Sequence, residues 1–247
     1  MNFAQIKTQI KTLYSRQEYL TPGAAEAVQR LIDVAQPTPA SLLLDLACGK
    51  GEAACEIANR TGCRVVGVDL YSLFSPEFRE KVASKGLGSN VTLVRADGKR
   101  LPVLDGTFEA AYCIGGPSIV GLERCLNELA RAVKPGGFVL VSDIVWRARP
   151  GTLGPEWRWF ASMRQITSAE YSSLIASAGL RVDEMTVFGR EAWDIYHQPM
   201  AEVARLARAG GGPEELARAE QIEADIEMEA RAVNSFVDYA MFVARRA

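Results

Sequence analysis

The sequence predicts an α/β protein with a largely parallel sheet covered by helices on both faces. Three observations carry that expectation. Short continuous segments rich in Val, Ile and Leu recur at 41–46, 64–70, 90–96, 108–114 and 138–144, as in strands buried on both sides. Helical periodicity fills the gaps between them, which is the β–α alternation of a parallel sheet. A turn with two glycines, Gly49-Lys50-Gly51, joins the first apolar segment to the next helix, at the sheet edge where such folds bind ligands. The 247 residues, 48% hydrophobic and 23% charged, suffice for one large core or two small ones.

Each element follows in turn. Residues 3 to 14 place Phe3, Ile6, Ile10, Leu13 and Tyr14 on one helical stripe. Thr21 and Pro22 read as the N-cap and first position of a helix that runs through Val28 and Leu31 to about Gln36, and Pro37 and Pro39 break it. A strand over 41–46 precedes a helix over 51–60 with Ala54, Ile57 and Ala58 inward. After the strand at 64–70, Ser75-Pro76-Glu77 opens a helix that Gly86 ends. Strands at 90–96 and 108–114 come next. Residues 120 to 133 form a helix with Val120, Leu122, Leu126, Leu129 and Val133 available for burial. Lys134-Pro135-Gly136-Gly137 is expected to be a turn before the strand at 138–144.

Past Ile144 the pattern changes. Residues 145–166 are rich in Trp, Arg, Pro and Gly. Thr167 to Glu170 has the form of a capping box, and Gly179 closes that helix. Residues 180–188 alternate like a strand, and 199–234 look helical with a break at 210–213. Residues 236–246 have strand character and are expected at a sheet edge. The absence of an internal repeat or disordered linker gives a single domain over 1–247, divided into N-terminal helices (1–40), a ligand-binding core (41–144) and a substrate-side segment with a helical insertion and the last strand (145–247).

Composition removes several function classes. The 28 basic and 30 acidic side chains leave a net charge of -2, which does not suit a general nucleic-acid binder. No run approaches the length of a membrane span, and residues 1–14 lack the pattern of a secretory signal. A cytoplasmic chain is expected. The five cysteines, Cys48, Cys55, Cys63, Cys113 and Cys125, are odd in number and include no CxxC pair. They read as buried small residues rather than a disulfide or zinc framework. One histidine, His197, excludes sites built on two, and no metal is expected.

The chemistry concentrates in Asp45-Leu46-Ala47-Cys48-Gly49-Lys50-Gly51. Gly49 and Gly51 let backbone approach a ligand at a helix N-terminus. Asp69 ends the second strand 20 residues after Gly49, a position that suits a carboxylate gripping ribose hydroxyls. Gly49-x-Gly51-x-x-Ala54 also fits the relaxed dinucleotide fingerprint, so the glycines alone leave an NAD(P)-dependent oxidoreductase open. Asp45 points elsewhere. A carboxylate before the glycines would repel a pyrophosphate but suits a ligand carrying an ammonium and no phosphates. S-adenosylmethionine (SAM) is such a ligand. Asp97 and Gly98, after the third strand, offer a carboxylate for its adenine amine. The fourth strand ends in Tyr112-Cys113-Ile114-Gly115-Gly116, where a methyl acceptor could approach. No Tyr-x-x-x-Lys pair and no GxxxxGK[ST] loop occurs, which removes the usual short-chain dehydrogenase catalyst and the phosphate-loop NTPases.

LLLDLACGKGEAA, VVGVDL, VRADGKRLP, GTFEAAYCIGG and ELARAVKPGGFVLVSD together resemble the successive motifs of class I SAM-dependent methyltransferases, over roughly residues 21 to 144. The small-molecule group that includes the ubiquinone and menaquinone methyltransferases is the most similar in flavour. The resemblance implies a Rossmann-like three-layer sandwich whose mostly parallel seven-stranded sheet takes its last strand antiparallel, inserted between neighbours. It implies that Asp45, Ala47, Gly49 and Gly51 line the methionine end of SAM, Asp69 and Leu70 hold ribose, Asp97 and Gly98 meet adenine, and Cys113 sits near the sulfonium. Cys48 and Lys50 depart from the commoner small or hydroxyl residues of that loop. The implied activity is methyl transfer to a small-molecule acceptor, leaving S-adenosylhomocysteine (SAH). A non-catalytic SAM-binding or interaction module is the non-enzyme alternative. Trp157 and Trp193 are the candidate substrate-lining residues, with Arg147, Arg149, Arg158 and Arg164 available to an anionic acceptor. His197 and Tyr196 are candidate general bases. Neither a nucleic-acid partner nor a membrane span is expected, and a homodimer is allowed for.

Overall fold

A computed structural model describes residues 10–70, 73–151, 153–154, 157, 160 and 162–247. Its elements are α1 (Ala24–Ala35), β1 (Leu42–Leu46), α2 (Glu52–Thr61), β2 (Arg64–Asp69), α3 (Ser75–Ser84), β3 (Val91–Arg95), β4 (Phe108–Ile114), α4 (Pro117–Val120), α5 (Leu122–Ala132), β5 (Val133–Trp146), α6 (Ser168–Ser177), β6 (Leu180–Phe188), α7 (Arg190–Gly210), α8 (Pro213–Ser235) and β7 (Val237–Arg246). One seven-stranded sheet has the order β3-β2-β1-β4-β5-β7-β6. Strands β1 to β5 run parallel, and β7 is antiparallel to both its neighbours. The last strand is therefore not the edge strand that its sequence position suggested. It fills the gap between β5 and β6, and its register runs from Trp146↔Val237 to Phe138↔Arg245 on one side. Strand β7 is buried along most of its length, which explains its unbroken apolar run.

Side chains alternate across the sheet and build two apolar layers. Leu43, Ala110, Tyr112, Leu140, Tyr239 and Met241 face α1, α2, α3, α7 and α8. Leu44, Leu46, Ala111, Cys113, Val139 and Phe242 face α5 and α6. The result is the three-layer sandwich, with the carboxyl ends of β1 to β5 along one edge.

Local chemistry moved several boundaries. Helix α1 begins at Ala24, after Gly23 in the left-handed region at φ 67°. Thr21 lies outside it and packs against the end of β4 instead, so it is no N-cap. The expected helix over 120–133 is two helices, because Gly121 at φ 105° breaks it. The Lys134-Pro135-Gly136-Gly137 turn is a bulge within β5. Between the pairs Phe108↔Val133 and Ala110↔Phe138, β4 advances two residues and β5 five. Helix α7 starts at Arg190 and continues through Pro199, well before the expected start at 199. Thr167 caps α6 in a complete capping box with Glu170, as the sequence indicated. The stripe predicted over 3–14 lies mostly outside the described residues, of which 10–13 are helical. No described helix is long and apolar enough to cross a membrane.

Candidate functional site

Loops at the carboxyl ends of β1, β2, β3 and β4 bring backbone close together. Ala47 sits at φ 59°, Gly49 at 50° and Gly51 at 75°, a run of left-handed residues that turns the chain sharply from β1 into α2. An alanine there carries strain of about 1 kcal/mol or more. A Cβ on Gly51 would lie 2.4 Å from Phe78 Cδ2, so that glycine is required by packing as well as by φ. The Gly49 amide donates to Asp69 Oδ2 at 3.0 Å, and Asp69 thereby braces the loop it was expected to serve beside. At Gly98 a Cβ would come within 2.8 Å of Leu46 Cδ1. Asp97 is exposed, with Oδ1 accepting from the Lys99 amide at 2.9 Å. Leu70 follows Asp69 with 44% of its surface open.

Asp45 is buried beneath this loop at 3% exposure, and its Oδ2 has no hydrogen-bond partner. Burial, and next the Asp69 charge, pushes its carboxyl well above the usual range despite the nearby Tyr112 hydroxyl. That hydroxyl leans towards Asp45 without reaching hydrogen-bond geometry, and is itself unpartnered. An unpaired buried carboxylate costs several kcal/mol. A cationic group held against it would recover much of that cost, whereas a phosphate would add to it.

Beyond β4, the edge is lined by side chains from distant segments. Trp193, Tyr196 and His197 on α7 pack with Tyr239 of β7. His197 Nε2 lies 2.8 Å from Glu229 Oε2 of α8, with both side chains nearly buried. Thr21 Oγ1 and Ser142 Oγ come near the Tyr239 hydroxyl without good hydrogen-bond geometry. Trp193 Nε1 and Gln17 Oε1 are also buried and unpartnered. On the opposite face, Asp143 accepts from the Ser118 amide at 2.9 Å and the Ser118 hydroxyl at 2.6 Å. Burial raises its pKa to about 6. Asp143 ties β5 to α4 and so joins the two halves of the edge. Sequence reasoning missed Gln17, Thr21, Asp143, Glu229 and Tyr239. Their partners lie mostly at long chain separations, which no local pattern discloses.

Several expected residues are placed differently. The Cys113 thiol points into the α5 layer, where its partner is Cys125, away from the face that carries Asp45. Its Sγ nevertheless borders the loop, since a Cβ on Gly116 would lie 2.7 Å from it and 2.6 Å from Ala47 Cβ. Cys48 is packed over Gly67, where a Cβ would lie 3.0 Å from its sulfur. Burial pushes the Cys48 thiol up. All five cysteines are free and buried. Burial, and next the Glu229 charge, pushes the Tyr196 phenol up; its hydroxyl meets Tyr14 at 3.3 Å. Trp157 and Trp193 do not form one wall. Trp157 packs with Trp146, Phe160 and Phe236 in a separate cluster at the end of β5, while Trp193 is 4% exposed within the main core. The arginines are occupied: Arg147 pairs with Asp238, Arg149 with Glu170 and Arg164 with Glu123. Arg158 and Trp159 lie outside the described residues. Among those described, no cluster of three or more His, Cys, Asp or Glu is arranged to hold a metal.

A family profile described as "Methyltransferase domain" matches residues 43–137, the stretch that builds the loop edge. The chain is 28% identical over 178 residues to the uncharacterized protein YjhP of Escherichia coli (strain K12), covering 71% of each. It is 26% identical over 135 residues to a demethylmenaquinone methyltransferase of Desulfitobacterium hafniense (strain Y51). There the match spans 53% of this chain and about half, 53%, of that relative. Among solved structures it resembles a SAM-dependent methyltransferase from Geobacter sulfurreducens in complex with S-adenosyl-L-homocysteine. The TM-score is 0.81 at 22% identity, over 97% of this chain and 98% of that one. This last likeness speaks for the fold.

Proposed function

From the premise that the chain belongs to the class I SAM-dependent methyltransferase family, we propose that it methylates a small organic molecule, with residues 41–144 holding SAM and 145–247 the acceptor. Asp45 is the observation that carries the reading. Its buried, unpartnered Oδ2 is a site for the ligand's ammonium, and it opposes a dinucleotide's pyrophosphate. The glycines fit the same ligand, since a Cβ on Gly116 would come within 2.6 Å of Ala47 Cβ, so side chains there would close the cradle. Asp69 and Leu70 are assigned to ribose, Asp97 and Gly98 to adenine, and the Gly49–Gly51 loop to the methionine end.

When bound, SAM supplies a methyl on a sulfonium, open to in-line displacement. The chain's own task is to hold acceptor and donor in line and exclude water, which can supply several kcal/mol of the barrier. The rings of Trp193, Tyr196 and Tyr239 favour an organic acceptor. The quinone-ring compound in the name of the D. hafniense relative is one member of that class. Where the methylated atom carries a proton, His197, its ring held by Glu229, is the candidate to take it.

Calorimetry with SAH and transfer of labelled methyl to a panel of phenols, quinols and amines test the reading. SAH should bind, and Asp69→Ala should weaken it by about 1.5–3 kcal/mol, the worth of a charge-assisted bond. Labelled product should form with at least one acceptor class. Tighter binding of NAD than of SAH would restore the oxidoreductase reading. SAH binding with no transfer across the panel would favour the binding module.

A further inference from the structure

The segment 14–21 crosses from the acceptor side to the glycine loop and is pinned on both banks. On the loop side, Lys50 Nζ donates to the Tyr14 carbonyl at 2.6 Å and to the Gln17 carbonyl at 2.9 Å. The Tyr19 hydroxyl donates to Glu56 of α2. On the α7 side, Gln17 Nε2 donates to the Tyr196 carbonyl at 2.7 Å, and the Tyr14 and Tyr196 hydroxyls meet. Between the banks the segment lies directly over the loop edge. Leu20 Cδ1 would be 3.1 Å from a Cβ on Gly49, and Thr21 Cγ2 2.0 Å from one on Gly115.

Two features show that this strap is more than packing. First, Gln17 Oε1 and Thr21 Oγ1 are buried with no hydrogen-bond partner. Gln17 is only 4% exposed, and orphaned polar atoms in such positions are rare unless a ligand meets them. Second, the hydrogen bonds of Lys50 recorded here run to main-chain carbonyls of the strap. The Tyr14 amide donates to the Ile10 carbonyl and closes the helical turn at residues 10–13, and carbonyls at a helix end attract a cation. Partial burial draws the Lys50 pKa down, a cost that these two bonds offset.

We infer that residues 14–21 are the roof of the cofactor site, that Gln17 and Thr21 contact the bound ligand from above, and that Lys50 is the positioning residue that latches the roof shut. The inference rests on the SAM-binding reading above. Its consequence is kinetic. The roof must lift at each exchange of SAM for SAH, so the Lys50 bonds hold back product release. Because the same strap is fixed to Tyr196, an empty cofactor site also loosens the acceptor side, which favours cofactor entering before acceptor.

The test is stopped-flow measurement of SAH association and dissociation on the full chain by tryptophan fluorescence, beside hydrogen exchange of residues 10–22. Lys50→Met keeps the aliphatic stem and removes the cation; it should raise the dissociation rate about tenfold and deprotect the strap. Lys50→Arg should restore both. Gln17→Ala, which acts from the other bank, should also speed dissociation and serves if Lys50→Met does not fold. In the parent, bound SAH should protect the Arg16–Gln17 bond from trypsin. Dissociation rates equal to the parent in both Lys50→Met and Gln17→Ala would overturn the roof, as would a strap equally exposed with and without SAH. A parent chain that fails to bind SAH at all would instead sink the cofactor reading on which the roof depends.

Discussion

The two halves of the sheet edge present different matter to a ligand. From β1 to β4 the edge is mostly main chain, turned inward by Ala47, Gly49 and Gly51 and backed by the carboxylates Asp45 and Asp69. From β5 to β7 it is mostly side chain, with Trp193, Tyr196, His197, Glu229 and Tyr239 arriving from α7, α8 and β7. A main-chain site suits a ligand of fixed identity, because backbone geometry is set by a few residues adjacent in sequence. A side-chain site can be rebuilt by substitutions that leave the scaffold alone. The contrast predicts that changes in the second half cost stability before binding, and that changes in the first half act chiefly through the loop or the ligand.

Trp193→Ala should do the greatest damage. The side chain is 4% exposed and touches Tyr196, His197 and Tyr239, so its removal should cost about 3–5 kcal/mol of unfolding free energy in a denaturant titration. Trp193→Phe sharpens the point. It keeps most of the volume and removes an indole N–H that has no partner, so stability should stay within about 1.5 kcal/mol. Loss of methyl transfer in Trp193→Phe with SAH affinity intact would show that this N–H meets the acceptor. Unchanged transfer would leave Trp193 a packing residue alone.

Gly51→Ala comes next. The new Cβ meets Phe78 in a residue at φ 75°, and strain plus overpacking should cost about 3 kcal/mol. SAH should bind poorly even in the fraction that folds, because the loop must shift to clear Phe78. A Gly51→Ala chain of parental stability and affinity would remove the idea that main-chain geometry defines this half.

Asp143, which joins the halves, should show itself in the pH dependence of stability. Burial raises its folded pKa to about 6 from 3.8, so the folded chain holds a proton that the unfolded chain has released. Its contribution therefore destabilises at pH 7, is relieved as pH falls through 6, and is fully relieved below about 4. The span corresponds to about 3 kcal/mol at most. Melting curves of the parent minus those of Asp143→Asn should converge by that amount from the acid side towards neutrality. The lost acceptor for Ser118 in the variant adds only a pH-independent offset. Parallel curves from pH 4 to 7 would mean that Asp143 is ionised throughout.

The same contrast explains what the sequence disclosed. Asp45, the glycines, Asp69 and Asp97 lie in strand–loop–helix units whose local pattern fixes their place, and the parallel core from β1 to β5 was legible for the same reason. Strand β7 looked like an edge because nothing local says where a strand inserts. Its neighbours are 91 and 51 residues upstream in the pairs Trp146↔Val237 and Phe188↔Tyr239, respectively. Trp157 and Trp193 looked alike as candidate substrate-lining residues, yet one belongs to a small cluster at the end of β5 and the other to the main core. The arginines of 147–164 looked free because their acids, Glu123, Glu170 and Asp238, lie elsewhere along the chain. For Cys113 the motif gives a position along the strand, while the pleat decides which layer receives the side chain, here that of α5.

Asp97→Ala should give the smallest change in stability and the cleanest separation of ligand from fold. The carboxylate is exposed and accepts locally from the Lys99 amide, so the unfolding free energy should fall by no more than about 0.5 kcal/mol. The turn itself is secured otherwise, because Gly98 packs under Leu46 and Val120 and the Arg100 amide donates to the Asp97 carbonyl. Affinity for SAH should nonetheless fall severalfold, and methylthioadenosine, which lacks the amino-acid end, should lose the same factor. Equal losses for the two ligands would assign Asp97 to the adenosine part. A loss seen with SAH alone would move Asp97 to the methionine end. No loss with either would leave it a turn residue, and would narrow the ligand-reading part of this half to Asp45, Asp69 and the glycine loop.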